Sequence, residues 1–209
     1  MNIGIVGYQG DVSEHVEILY KLSKQYKRDI DPVLVRDKKA LTYISGLIIP
    51  GGESTTIFQL LKEFDLFNAI KVLAQHRLYV MGTCAGLILI SKDDPLSRVR
   101  GMGLLDVKIK RNAYGRQINS FSETIDIEGI GKFKAVFIRA PIIEEVGDVI
   151  TMGKYKDVPV IVRSERFLGL TFHPELTGDT RIHEYFIEMI GRGGYISTPR
   201  RVWNVEEFV

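Results

Sequence analysis

Cysteine is nearly absent from this chain, because one thiol, that of Cys84, stands among 209 residues. A single thiol excludes an internal disulfide and is typical of a protein kept in a reducing compartment. The chain also has little excess of positive over negative charge, with a formal net charge of +2. Such a small excess gives little attraction to nucleic acid or to an anionic membrane. Neither a basic leader with an apolar core nor an apolar run long enough to cross a bilayer is apparent. We therefore expect a cytoplasmic protein that binds neither nucleic acid nor membrane.

The composition is that of an ordinary soluble domain, with 45% hydrophobic and 26% charged residues. A chain of this length suits one domain whose sheet is covered on both faces. We predict that residues 1–190 form this domain. Residues 191–209 are predicted to be a C-terminal tail of unknown role, joined through the glycine-rich hinge at residues 191–194.

Apolar runs alternate with helical patterns in the first half of the chain, which predicts an α/β fold with a parallel sheet and helices on both faces. The strands are predicted at residues 3–6, 32–35, 47–49 and 78–81, and the helices at about 12–24, 55–61 and 66–75. Shorter strands, predicted at residues 105–110, 123–127, 135–138, 158–162 and 167–172, extend the sheet with an antiparallel portion. A last helix is predicted over residues 180–190, with Asp179 as its cap and Gly191 as its end.

The motif G-T-C-A-G at residues 82–86 stands between a predicted strand and a predicted helix. This is the arrangement of a nucleophile elbow, in which glycines permit a sharp turn that exposes the side chain between them. The adjacent helix N-terminus favours a thiolate. Cys84 is therefore a candidate nucleophile. The alternative from this motif alone is a buried structural cysteine, since free cysteine is often buried.

His173, Pro174 and Glu175 follow a predicted strand, and residues i and i+2 of a strand point to the same side. Glu175 is then able to accept one ring N–H of His173, which leaves the other nitrogen to take a proton from Cys84. This is the logic of a catalytic triad. The remaining histidines, which lack such a carboxylate partner, are interpreted as surface or packing residues: His15, His76 and His183.

A third motif, P-G-G-E-S-T-T at residues 50–56, joins a buried strand to a helix that Ser54 or Thr55 is predicted to cap. Two glycines let backbone N–H groups approach a ligand closely. The N–H of Gly52, with that of Ala85, is a candidate oxyanion hole. A phosphate-binding loop is disfavoured, because the G-x-x-x-x-G-K-[ST] pattern is missing and Glu53 repels phosphate.

These three motifs, in this order, resemble those of the class I (triad) glutamine amidotransferases. Further segments narrow the resemblance to the glutaminase-subunit family of pyridoxal 5′-phosphate synthase. They are G-Y-Q-G-D at residues 7–11 with E-H at 14–15, R-N-A-Y-G-R-Q at 111–117, and F-I-R-A-P at 137–141. The resemblance runs from about residue 3 to residue 190. Departures are mild, with Tyr8 in place of an aliphatic residue and Ala113-Tyr114 in place of Ser-Phe.

The resemblance implies a flavodoxin-like amidotransferase fold and a glutaminase that turns L-glutamine into glutamate and ammonia. Its implied catalytic residues are Cys84, His173 and Glu175. Residues that surround the glutamine by resemblance are Gly52, Glu53, Ser54, Arg111, Ile138 and Arg139. Gln9 and Gly10 are implied to couple the site to the partner. That partner is a synthase subunit that forms a dodecameric core, carries glutaminase subunits and uses their ammonia to make pyridoxal 5′-phosphate.

Two alternatives remain open from the sequence. One is a glutaminase that serves another synthase, such as the one that makes imidazole glycerol phosphate, although the segments at residues 111–117 and 137–141 do not favour it. The other is a non-enzymatic α/β binding or scaffold module in which Cys84 is structural. The sequence shows neither a metal-ligand cluster nor a lysine site for pyridoxal phosphate, so we expect no metal and no cofactor.

Overall fold

The structure, a computed structural model, describes residues 1–110 and 120–192. Arg111 and its segment through residue 117 lie outside these ranges, as do residues 193–209 of the predicted tail. Every structural statement below refers to the described ranges.

Eleven strands and five α-helices follow one another in these ranges. The strands are β1 (Asn2–Val6), β2 (Asp31–Val35), β3 (Gly46–Ile49), β4 (Tyr79–Thr83), β5 (Val107–Lys110), β6 (Ser120–Ile127), β7 (Gly131–Ile138), β8 (Ile142–Val146), β9 (Ile150–Tyr155), β10 (Val158–Arg163) and β11 (Phe167–Leu170). The helices are α1 (Val12–Tyr26), α2 (Ser54–Glu63), α3 (Leu66–His76), α4 (Ala85–Ile90) and α5 (Arg181–Arg192). Short 3₁₀ turns form at Ala40–Thr42 and Pro174–Leu176.

Nine of the strands described above form one mixed sheet in the order β2-β1-β3-β4-β11-β10-β9-β6-β7. The first five of these run parallel to one another, and each later neighbour pairs antiparallel. The predicted mixed α/β sheet with an antiparallel portion is therefore confirmed. Strands β5 and β8 pair separately as an antiparallel ribbon, so the prediction that residues 105–110 extend the main sheet was wrong.

Helices cover both faces of the sheet, and the central strands are therefore buried on both sides. Along β3, Leu47 and Ile49 join a core with the helices α2, α3 and α4. Ile48, which points the other way, packs in a second core with α1 and α5. This alternation is the period-two geometry of a strand. The prediction of helices on both faces is confirmed.

Some boundaries differ from those predicted. Strand β11 ends at Leu170, two residues before the predicted end. Helix α5 continues through Gly191 to Arg192, although Gly191 was expected to end it. Asp179 does accept the backbone N–H of Arg181, at 3.0 Å, at the start of this helix. Over the described residues, no helix combines the length and apolar character that a membrane span requires.

Candidate active site

Four adjacent parallel strands end at one edge of the sheet, and the loops that follow them carry the candidate site. Asp11 follows β1, Gly51 follows β3, Cys84 follows β4 and His173 follows β11. Carboxyl ends of parallel strands are where open α/β sheets place their ligands. The strand order therefore brings together residues that are far apart in the chain.

Cys84 lies in a sharp turn between β4 and α4, with φ 50° and ψ −100°. Residues with a side chain rarely adopt a positive φ, and such strain is a feature of nucleophile elbows. A Cβ on Gly86 would lie 1.9 Å from the carbonyl oxygen of Ile49, and one on Gly82 would lie 2.6 Å from the Gly86 backbone. Only glycine fits at both positions, so the predicted strand-turn-helix elbow is confirmed as local structure.

The thiol of Cys84 is almost buried and has two polar neighbours. Its Sγ lies 3.7 Å from the carbonyl oxygen of Ile138, the last residue of β7. The imidazole of His173 also interacts with this thiol. Arg139 follows Ile138 with a positive φ of 43°. The structure thus places the segment of Ile138 and Arg139 beside the sulfur, whereas Arg111 lies outside the described residues.

His173 and Glu175 come together as predicted, although for a different reason. Nδ1 of His173 lies 2.8 Å from Oε1 of Glu175. The two residues are not on a strand, because β11 has already ended and Pro174–Leu176 forms a 3₁₀ turn. The backbone N–H of His173 donates to the carbonyl of Val136 at 2.8 Å, which anchors the turn to β7. The explanation from strand alternation was wrong, while the proximity of the two side chains holds.

A second carboxylate, which the sequence analysis missed, also faces His173. Oδ2 of Asp11 lies 3.0 Å from Nδ1 of His173. Asp11 is the residue before α1, yet its side chain caps no backbone N–H of that helix. Gly51 leaves the room for this contact, since a Cβ there would lie 2.3 Å from Cε1 of His173 and 2.9 Å from Oδ2 of Asp11. One oxygen of each carboxylate therefore lies beside Nδ1 of His173, and Nε2 of the ring is left to face the thiol.

These contacts favour a charged imidazole. Burial lowers the pKa of His173, but its hydrogen bonds to Asp11, Cys84 and Glu175 outweigh burial and raise the pKa to about 12. The hydrogen bond from His173 lowers the pKa of Asp11, against the effect of burial. Burial raises the pKa of Glu175, and the bond to His173 opposes that rise. An imidazolium beside Cys84 is the partner that a thiolate needs.

Asp11, His173 and Glu175 form the one cluster among the described residues that is spaced to hold a metal ion, with ligand atoms within 4.8 Å of one another. The same atoms already bond to each other, because both carboxylates use Nδ1 of His173. A metal ion at this nitrogen would have to displace a proton that the two carboxylates stabilise. The arrangement suits proton transfer better than metal binding.

Gln9 bonds directly to the turn after β3, and Gly10 packs closely against it. Oε1 of Gln9 accepts the backbone N–H of Glu53 at 3.0 Å. Gly10 has a φ of 99°, and a Cβ on it would lie 1.7 Å from the carbonyl oxygen of Gly51. Gly52 has a φ of 145° and packs against the Gln9 side chain. The turn that carries the candidate oxyanion donor Gly52 is therefore held in place by the opening segment of the chain.

Glu53, and not Ser54 or Thr55, caps helix α2. Its carboxylate accepts the backbone N–H of Thr56 at 2.7 Å and the hydroxyl of the same residue at 2.9 Å. Burial raises the pKa of Glu53, but the hydrogen bonds from Thr56 and Thr55 lower it overall. The predicted cap was wrong because an acidic residue satisfies the same N–H groups and also suits the positive end of the helix. Ser54 is the first, buried residue of α2.

Two fully buried histidines extend the site inward. Nδ1 of His15 lies 2.9 Å from Nε2 of His183. Nε2 of His15 lies 3.3 Å from Oγ1 of Thr83 and 3.6 Å from Oε2 of Glu175. From the sequence both histidines are interpreted as surface or packing residues, and in the structure both are packed in the interior. The contact of His15 with Glu175 is not predicted from the sequence, since the position of both histidines on the apolar faces of their helices indicates only that the rings are buried.

Comparison with known proteins places this chain in a family. The sequence model of the SNO glutamine amidotransferase family matches residues 5–192. The chain belongs to that family. The resemblance inferred from the motifs is therefore confirmed, and the amidotransferase fold is that of the family.

Relatives and a solved structure agree with this assignment. The pyridoxal 5′-phosphate synthase subunit PdxT of Thermoplasma acidophilum is 56% identical over 199 residues, which cover 95% of this chain and 98% of the relative. The protein of the same name from Thermoplasma volcanium is 57% identical over 198 residues, covering 95% and 98%. A crystal structure of a glutamine amidotransferase superposes with a TM-score of 0.83 at 39% identity, covering 90% of this chain and 98% of the other.

Proposed function

We propose that this chain is a glutaminase that hydrolyses L-glutamine to glutamate and ammonia, and that it supplies the ammonia to a pyridoxal 5′-phosphate synthase subunit. One observation carries the proposal: His173 bonds to two carboxylates through Nδ1 while its ring also interacts with the thiol of Cys84. A histidine held this way is a base and an acid for the atom beside it.

The first half of the reaction forms a thioester. The thiolate of Cys84 attacks the side-chain amide carbon of glutamine, a C–S bond forms, and the amide oxygen becomes an oxyanion. Protonated His173 gives its Nε2 proton to the amide nitrogen, the C–N bond breaks, and ammonia leaves. Glu175 orients His173 and stabilises its charged form throughout.

The second half of the reaction regenerates the thiolate of Cys84. His173, now neutral, takes a proton from a water molecule whose oxygen attacks the thioester carbon. The C–S bond breaks, glutamate leaves, and the thiolate and imidazolium pair is restored. One catalytic histidine therefore serves as acid in the first half and as base in the second.

The backbone N–H groups of Gly52 and Ala85 are proposed to hold the oxyanion. Support comes from the adjacency of β3 and β4, which places the turns after these two strands side by side. The same turn reaches the ring of His173 through Gly51. One donor of this kind is worth on the order of 3 kcal/mol of transition-state stabilisation.

Substrate contacts are proposed for Gly52, Glu53, Ser54, Ile138 and Arg139, and for Arg111, which lies outside the described residues. The support is their position, since Ile138 lies against the sulfur and the turn at Gly52 lies next to the elbow. The Glu53 side chain is occupied as a helix cap, so we assign its contribution to the backbone. An arginine suits the substrate carboxylate through its bidentate fork.

The proposed partner is a synthase subunit, and the support is that the relatives are named as subunits of pyridoxal 5′-phosphate synthase. We propose a hetero-oligomer in which several copies of this chain dock on a dodecameric synthase core and deliver ammonia to it directly. The single, thiol-dependent site and the absence of disulfides from the sequence are suited to the cytoplasm.

The deciding experiment measures ammonia release from glutamine by the purified chain, with and without the purified synthase subunit. We expect release in both cases to require Cys84, and the synthase to increase it. Labelling of Cys84 by a glutamine-analogue electrophile separates this enzyme from a scaffold protein. Stimulation by a synthase that makes imidazole glycerol phosphate, without stimulation by the pyridoxal phosphate synthase, would contradict the proposed partner.

A further inference from the structure

The two buried histidines form a chain of contacts that ends on the far oxygen of Glu175. Oε1 of this carboxylate bonds to His173, whereas Oε2 is buried with no hydrogen-bond partner within 3.5 Å among the described residues. Nε2 of His15 lies 3.6 Å from that oxygen, and neither side chain is exposed to solvent. A buried carboxylate oxygen without a donor is unfavourable, so an N–H directed at it from His15 has a large effect.

The hydrogen-bond pattern favours one tautomer of each histidine. Burial, reinforced by the positive charge of His173, lowers the pKa of His15 well below its usual range. Burial lowers the pKa of His183 to about 3. Both rings are thus neutral, and each carries one N–H. The proton on Nε2 of His15 faces Glu175 and Thr83, and Nδ1 of His15 then accepts from Nε2–H of His183.

The opposite tautomers are disfavoured on two counts. A bare Nε2 on His15 would direct a lone pair at the Oε2 of Glu175. Its Nδ1–H would then donate to His183, whose own proton would move to Nδ1, a buried atom without a hydrogen-bond partner in the described structure. A buried, unsatisfied donor is more costly than an unsatisfied acceptor lone pair.

We propose that His15 is a positioning residue for this site, whose Nε2–H holds the second oxygen of Glu175 so that the first oxygen stays on Nδ1 of His173. The inference rests on the proposed glutaminase function for its effect on catalysis. The contact itself does not depend on that function. His183 fixes the tautomer of His15, and Thr83 shares its N–H.

The expected consequence follows from the charged groups that face one another here. Glu175 faces His173 and His15, while His173 also faces Asp11 and Cys84. Without the N–H of His15, the negative charge on Glu175 is less stable, and it stabilises protonated His173 less. The thiolate and imidazolium pair then forms only at higher pH. Asp11 remains bonded to His173, so the shift is limited.

A matched pair of substitutions tests this contact. His15→Gln keeps an N–H at the place of Nε2, whereas His15→Asn places its N–H at the position of Nδ1 and loses the donor to Glu175. Cys84 is the only cysteine in the sequence, so the ultraviolet absorbance against pH, after subtraction of the same titration of a Cys84→Ala protein, reports the thiolate of this residue. We expect the midpoint to rise by about one pH unit in His15→Asn, the size of one hydrogen bond to a charged group, and to stay near wild type in His15→Gln.

Kinetics and spectroscopy provide two further readouts. His15→Asn should lower kcat about tenfold with KM nearly unchanged, because His15 is not among the proposed substrate contacts. The ¹⁵N chemical shifts of wild-type His15 should show a protonated Nε2 and a bare Nδ1. A bare Nε2 would overturn the proposal even if both variants failed to fold, and so would an equal thiolate shift in folded Gln and Asn variants. Failure of the glutaminase proposal alone would give a different result. The thiolate midpoints of the two variants would differ as expected, but the protein would not hydrolyse glutamine.

Discussion

Oδ2 of Asp11 lies 3.0 Å from Nδ1 of His173, so this imidazole shares one ring nitrogen between two carboxylates. Glu175 contacts the same nitrogen at 2.8 Å. The side chain of Glu175 has no exposure to solvent, whereas that of Asp11 is 30% exposed. Charges interact more strongly where water is excluded. We therefore expect both carboxylates to support His173, and Glu175 to contribute more.

Graded losses of activity should follow from substitution of these three residues. His173→Asn should reduce the kcat of ammonia release by roughly a thousandfold or more, since it removes the base. Glu175→Gln should be less damaging, because its shape is kept while its charge is lost. Asp11→Asn should cost about tenfold, the size of one hydrogen bond to a charged group. An Asp11→Asn protein as impaired as Glu175→Gln would contradict this order.

Removal of the nucleophile should abolish glutamine hydrolysis while the fold persists. Cys84→Ala is expected to reduce activity by at least roughly a thousandfold, since a triad fails when its nucleophile is lost. The measurement is ammonia release in the presence of the synthase subunit, with circular dichroism as the control for folding. Near-normal release by a folded Cys84→Ala protein would falsify the proposed mechanism.

A methyl group at residue 51 should disturb His173 without unfolding the domain. A Cβ on Gly51 would lie 2.3 Å from Cε1 of His173 and 2.9 Å from Oδ2 of Asp11, so one side chain must move. We expect Gly51→Ala to lower kcat about a hundredfold, as misplacement of a catalytic group by about 1 Å does. Gly191→Ala is a matched control on the surface, because its φ is not positive and such a Cβ would meet no neighbouring side chain within 4 Å among the described residues.

Acid should destabilise the fold through the buried histidine pair. Burial holds the pKa of His183 at about 3, against 6.5 for an exposed histidine. Below pH 6.5 the unfolded chain therefore binds a proton that the folded chain does not, and the free energy of unfolding falls as the pH falls. The stability that neutral His183 contributes is complete above that pH and is lost progressively toward pH 3. The slope is about 1.4 kcal/mol per pH unit for each such histidine.

The variant His183→Gln isolates this effect, because it keeps an N–H for His15 and removes one titrating group. Denaturant unfolding at several pH values between about 4 and 6 should show wild-type stability falling more steeply, by about 1.4 kcal/mol per pH unit. His173, whose pKa is raised to about 12, binds its proton in both states below pH 6.5 and does not mask the slope. Parallel pH dependences in the two proteins would show that His183 is not buried in a neutral state.

The parallel half of the fold was predictable, because fully buried strands such as β1 and β3 read as short apolar runs between amphipathic helices. Two strands were missed for the opposite reason. Strand β8 carries Glu144 and Glu145 and is mostly exposed, so it lacks an apolar signal. Strand β9 has Gly153 in its interior, which weakens the pattern of a strand.

The site was predictable where chemistry is concentrated in short motifs, as at Cys84 and His173. Asp11 was missed because only the strand order brings it to the imidazole, more than 160 positions away in the chain. His15 and His183 looked like packing residues for a sound reason, since each stands on the apolar face of a helix. Hydrophobic periodicity predicts that such a ring is buried, but it does not predict which polar atom the ring contacts.

The contact between Gln9 and Glu53 allows a test of the proposal that the opening segment couples the site to the synthase. Oε1 of Gln9 accepts the backbone N–H of Glu53, next to the candidate oxyanion donor Gly52. Gln9→Ala loses this acceptor, whereas Gln9→Glu keeps an oxygen at the same reach. We expect Gln9→Ala to lower synthase-stimulated ammonia release about tenfold, the size of one lost hydrogen bond at a turn that must stay in place.

The comparison of the two variants then separates two routes of coupling. If Gln9 acts by holding the turn at Gly52, Gln9→Glu retains most of the stimulated activity. If its amide group instead contacts the synthase, Gln9→Glu loses stimulation as Gln9→Ala does, and its affinity for the synthase falls in a direct binding measurement. Alkylation of Cys84 by a small, non-specific thiol reagent should proceed at a similar rate in all three proteins. Wild-type affinity together with wild-type stimulated release in Gln9→Ala would show that Gln9 has no coupling role, since neither route then needs its side chain.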